Sequence, residues 1–132
     1  MADYGYDLGE HSFPVTTSSP EAQLWFDRGL NWTYNYNHEE AVVCFRNAAL
    51  ADPDCAMAHW GLAYASGPNY NMPWWRNDEK SRGEALALAF DATQAALGLL
   101  DQLDPEEVAL IEALAVRYPQ RDLADIKVME SW

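Results

Sequence analysis

WFDRGLNWTYNYNHEEAVVCFRNAALADP, residues 25–53, is the stretch on which the fold turns. Trp25, Gly29 and Trp32 recur at intervals of four and three, which puts them on one face of a helix. Asn37 reads as the opening of a second helix, and Ala41, Phe45 and Ala48 recur along one face of it. Small Gly29 and Ala41 allow the two backbones to approach closely. Trp25, Trp32 and Phe45 fill the space around that contact. Pro53 stops the second helix and suits the first turn of a third. The stretch therefore predicts two antiparallel helices with a close small-residue contact.

Trp25, Gly29, Trp32, Ala41, Phe45 and Pro53 in this register resemble the tetratricopeptide repeat, a helical hairpin that recurs every ~34 residues. Arg28 departs from the pattern, which has Leu there, and Trp32 stands where it has Tyr. SPEAQLWFDRGL (19–30), NHEEAVVCF (37–45), DPDCAMAHWGLAYASGPNYN (52–71) and DPEEVALIEALAVRYP (104–119) are similar to the opening of larger tetratricopeptide proteins. The resemblance implies an all-α fold: antiparallel hairpins stacked as a short solenoid of about five to six helices. It also implies that the first helix of each pair lines the inner, concave surface. It implies no particular chemistry.

Working outward, residues 1–18 are a turn-rich lead-in, and residues 19–55 form the first hairpin. Ser19 caps its first helix, with Pro20 at the first helical position, and the helix runs to about Tyr34. Asn37 caps the second, and Glu40 fits a capping box. Residues 56–103 form the second hairpin, interrupted by an inserted loop at 67–77. Asp52-Pro53 is expected to start its first helix, with Trp60, Ala63 and Tyr64 on the packing side. Its second helix, from near Asn77 or Ser81, carries the stripe Leu86, Phe90, Thr93, Leu97 and Leu100. Residues 104–132 form a third, incomplete hairpin. Asp104-Pro105-Glu106-Glu107 starts a fifth helix with a core face of Val108, Ile111, Leu114, Ala115 and Tyr118. Asp122 to Trp132 opens a sixth, with Leu123, Ile126 and Met129 to one side and no polar terminator. That open end leads us to expect a longer array, a covering partner chain or, failing those, self-association.

A net charge of −13 over 132 residues argues against nucleic acid or an anionic membrane as partner. No apolar run is long enough to span a bilayer, and the acidic start lacks the features of a signal peptide. A cytoplasmic protein with reduced Cys44 and Cys55 is the expectation.

The residues expected to bind a ligand fall in two groups. Phe26, Leu30, Thr33 and Tyr34 lie on one inner helix, beside Met57, Trp60 and Tyr64 on the next. Together they predict an aromatic, largely uncharged groove for an apolar peptide segment or a small apolar molecule, in a protein-interaction or scaffolding module. The inserted loop adds Asn69 and Asn71 as amide donors and acceptors, and Trp74, beside Trp75, as flat apolar surface. The alternative is an enzyme or metal protein using a pocket between the inner helices and this loop, with His59, Tyr64 and Asn69 as polar groups. Cys55 and His59 are four apart and could share a soft metal, but two ligands from one helix are not a site. Neither metal nor cofactor is expected. His38 reads as part of a helix start. Phosphate loops, nucleophile elbows and catalytic dyads are not recognisable in the sequence.

Overall fold

Ser19 opens the ordered helical part of the chain, and its hydroxyl accepts the Ala22 N–H at 3.1 Å. From there α1 runs over Pro20–Tyr34, with Pro20 in its first turn. The structure, a computed structural model, describes residues 4–132. Among these residues there is no strand. The other helices are α2 (His38–Ala51), α3 (Ala56–Ser66), α4 (Glu79–Leu97), α5 (Pro105–Ala115) and a single turn, α6 (Ile126–Met129). Short 3-10 turns lie at Trp74–Arg76 and Leu100–Gln102.

α1 packs on α2, α2 on α3 and α3 on α4, while α1 also reaches α3 and α5 reaches both α3 and α4. The closest approach centres on Phe45. A Cβ added at Gly29 of α1 would stand 2.7 Å from the Phe45 ring, and one added at Gly61 of α3 would run into the same ring. Phe45 is thus a plate gripped by two helices that lack side chains where they meet it. Gly29 is expected from the sequence, whereas Gly61 is its unforeseen counterpart. Ala41 and Ala48 complete the buried face of α2.

The segment before α1 is a strap. Gln23, Asp27 and Asn31, all on α1, hold its backbone through Val15 N, Phe13 N and O, and His11 O. Thr17 donates its hydroxyl to Asp52, in the turn between α2 and α3. Thr16 donates its N–H and hydroxyl to the Glu107 carboxylate at 2.7 and 2.6 Å. That carboxylate also accepts the Asp104 N–H at 3.2 Å, so one buried acid, 3% exposed, both caps α5 and anchors the strap. A buried carboxylate survives here because N–H and O–H donors surround it.

Four local expectations are corrected. Asp52-Pro53 does not start α3. The Asp52 carboxylate accepts the Asp54 N–H and the Thr17 hydroxyl, which makes it a turn and strap residue, and Cys55 takes the capping position. Glu40 does not complete a capping box with Asn37. The Asn37 N–H donates instead to Trp32 O, and Glu40 accepts from the Tyr4 hydroxyl. The buried face of α4 is Leu86, Ala89, Ala92, Thr93 and Ala96, with Phe90 and Leu97 only half-buried and Leu100 beyond the helix. Small alanines let α4 sit close to its neighbours, so the bulky residues flank the contact. Finally, the expected sixth helix shrinks to one turn, because Asp122 to Asp125 are irregular and Asp125 caps only Ile126 onward. Met129 is buried and Trp132 half-buried against the core, and this turn packs on Trp74–Arg76. No described helix is long and apolar enough to cross a membrane.

Candidate functional site

The C-terminal turn of α1 builds the first wall of the site. Tyr36 N–H donates to Thr33 O and Asn37 N–H to Trp32 O, the paired bonds of a left-handed helix stop. The residue in the left-handed position is ordinarily Gly. Here it is Tyr36, at φ 61°. Tyr34 and Tyr36, with Asn35 between them, therefore flank the helix end, both solvent-exposed.

α3 supplies the second wall. Trp60 and Tyr64, one turn apart, stack with ring centroids 5.3 Å apart at 22°. The Trp60 indole N–H donates to Leu110 O of α5 at 3.1 Å, which fixes the ring. The loop after α3 supplies the third wall. Asn69 and Met72 exchange backbone hydrogen bonds, and Asn69 Oδ1 accepts the N–H groups of Asn71 and Met72. Asn69 therefore shapes the loop with its oxygen and keeps its Nδ2 as a donor. Arg117, just past α5, donates to Pro68 O at 2.9 Å and lies 5.9 Å from the Tyr64 ring centre. Tyr118 next to it is buried. Its hydroxyl donates to Ala63 O at 3.0 Å, and burial pushes its pKa up to about 12. A Cβ at Gly67 would strike that hydroxyl, so Gly67 is required where the loop leaves α3.

These walls enclose a cavity of 610 Å³, within the range of ligand sites. Leu30, Thr33, Tyr34, Trp60, Tyr64 and Asn69, all singled out from the sequence, line it together. Phe26 and Met57 do not. Both are core residues, because they face the packed side of their helices. Asn71 is exposed, and its carbonyl accepts from Arg76. Trp74 is 4% exposed and lines two adjoining cavities, while Trp75 is 62% exposed. The Trp pair is thus split between anchoring the loop and facing solvent. The loop itself does border the cavity, through Pro68, Asn69 and Tyr70.

Sequence reasoning missed Tyr36, His38, Tyr70 and Arg117. The Tyr36-Asn37 step after a helix could have signalled a left-handed stop. Arg117 lies too far along the chain for any local signal.

Cys55 and His59 are not presented together as the metal reading requires. Cys55 precedes the helix and is fully buried, and burial pushes its thiol pKa up, which disfavours the thiolate a metal needs. His59 Nε2 bonds Pro53 O at 2.8 Å. Among the described residues no three His, Cys, Asp or Glu side chains converge as metal ligands would. Cys44, also raised by burial, contacts the Tyr4 hydroxyl at 3.3 Å.

Against known proteins, no family model, no curated protein and no solved structure matches the chain.

Proposed function

We propose that this chain is a protein-interaction module of tetratricopeptide type that holds an extended peptide segment in the cavity between α1, α3 and the 67–77 loop. The packing order supports the repeat reading: successive helices neighbour one another, and α1 and α5 both touch α3. One observation carries the binding reading. Tyr34, Tyr36, Tyr64 and Tyr70 all line one cavity, all are exposed, and none of their hydroxyls has a hydrogen-bond partner within the described residues. Tyrosines placed this way offer flat apolar area and a polar tip at low entropic cost, the combination that recognition surfaces favour. A partner chain or a further part of a longer array is the source of such a segment, with a second copy of this chain as the fallback.

The enzyme alternative has less support. Among the described residues no carboxylate lines the cavity, so a paired acid and base would have to come from His38 and the tyrosines. NMR shift mapping with a mixed library of short blocked peptides tests the reading. Perturbations are expected at Thr33, Tyr36, Tyr64 and Asn69. Perturbations confined to other surfaces would discard it.

A further inference from the structure

We infer that the segment bound in this cavity is proline-rich and in the polyproline II conformation. This rests on the peptide-binding reading above and names its ligand. The first argument is hydrogen-bond polarity. Arg117 can only donate, and Asn69 keeps its Nδ2 because its oxygen is taken by the loop. The tyrosine hydroxyls have no acceptor among the described residues. The cavity is thus rich in donors, and no described carboxylate lines it. A polyproline II segment is the complement. Its prolines have no N–H, and its carbonyls make no internal bonds and await donors.

The second argument is shape. Stacked Trp60 and Tyr64, flanked by Tyr34, Tyr36 and Tyr70, form an aromatic-lined wall against which pyrrolidine rings can pack. Grooves lined with aromatic rings recognise such segments because the ligand is already ordered before it binds. Charge points the same way. Arg117, the one Lys or Arg among the described lining residues, meets the negative ends of carbonyl dipoles favourably and would repel a basic segment.

The third argument is the backbone of Tyr36. Its left-handed φ suits Gly and disfavours a ring, yet the ring is 73% exposed and gains little contact inside the chain. Stability of the free protein does not explain a tyrosine there. A ligand that packs on the ring does.

The test uses a blocked oligoproline peptide, a blocked leucine-serine peptide of equal length, and NMR shift mapping with titration. The oligoproline peptide is expected to bind at the cavity and the leucine-serine peptide to bind more weakly. Tyr36→Gly and Tyr64→Ala should each weaken oligoproline binding by about threefold or more, the scale of one lost aromatic contact. Tyr36→Gly should at the same time raise the melting temperature by a few degrees, and because Gly suits that φ it keeps a folded protein for the comparison. If the leucine-serine peptide binds at the cavity as tightly as oligoproline or tighter, this inference falls and the peptide-binding reading stands. If neither peptide reaches the cavity, both fall. A Tyr36→Gly protein that is less stable, with unchanged oligoproline affinity, would make Tyr36 structural and overturn its role here.

Discussion

Two aromatic clusters in this molecule use the same residue types to opposite ends. In one, Tyr4, Tyr6, Trp25 and Trp32 meet edge to face, and the Arg28 guanidinium lies 4.2 Å from the Tyr4 ring centre and 4.7 Å from Trp25. The Trp32 N–H donates to the Tyr4 hydroxyl at 2.7 Å, and that hydroxyl contacts Glu40 and Cys44 in turn. Ring edges meet ring faces, and the Trp32 N–H and the Tyr4 hydroxyl find partners, while the buried Arg28 Nη1 between the rings finds none among the described residues. In the other, around the cavity, four tyrosine hydroxyls find none among the described residues. The first cluster closes the strap onto α1 and α2. The second is left open. The lesson is that aromatic content alone says nothing about binding. What distinguishes the two is that the Trp32 N–H and the Tyr4 hydroxyl tie the first cluster to its surroundings, whereas no tyrosine hydroxyl does so in the second.

The contrast can be broken most forcefully at Trp32. Trp32→Ala removes a ring, an N–H donor and the partner of Tyr6, so a loss of about 3 kcal/mol is expected, read by chemical denaturation, with cavity binding intact. A small loss together with lost binding would erase the distinction between the clusters.

Gly61→Ala is the next largest. Its methyl would enter the Phe45 ring, which both packs the core and floors the cavity. A cost of about 2 kcal/mol is expected from overpacking, with binding also impaired because the floor shifts. An unchanged melting temperature would mean the α2–α3 register is wrong.

Alkaline pH compares a closed tyrosine with the open ones. The Tyr118 pKa is raised by burial to about 12, so the folded state favours its neutral form. Its contribution is fully present below the unfolded value near 10 and fades as pH climbs through the folded one. Stability should fall by about 2 kcal/mol across that window. Tyr4, raised mainly by burial, adds to the same slope. Tyr118→Phe should flatten the slope.

The smallest effect on stability belongs to the open cluster. Tyr64→Ala should cost under about 1 kcal/mol, as an exposed substitution does, while weakening cavity binding by about threefold or more. A larger loss of stability would place Tyr64 with the closed cluster.

Helix starts were legible where a cap and a proline coincide, as at Ser19-Pro20 and Asp104-Pro105. They were misread at Asp52-Pro53, where the same signature meets a competing claim on the aspartate from Thr17. Six of the ten residues singled out for binding line the cavity. Of those that do not, Phe26 and Met57 share the helical spacing of those that do. Periodicity reports which residues share a face but not whether a neighbour covers it.

What the sequence determined by itself is local: the helices, most of their caps, and the small residues at Gly29 and Ala41 that invite close packing. These follow from interactions within a few residues, where backbone hydrogen bonding and steric exclusion act regardless of the rest of the chain. The tertiary structure alone decided that Gly61 completes the seat for Phe45, that Glu107 anchors Thr16 from far along the chain, and that Arg117 meets Pro68 beside Tyr64. It also decided which aromatic cluster closes and which stays open. Those outcomes depend on which surfaces the packed helices bring together, and hydrogen-bond partners separated by dozens of residues leave no periodic trace in the sequence.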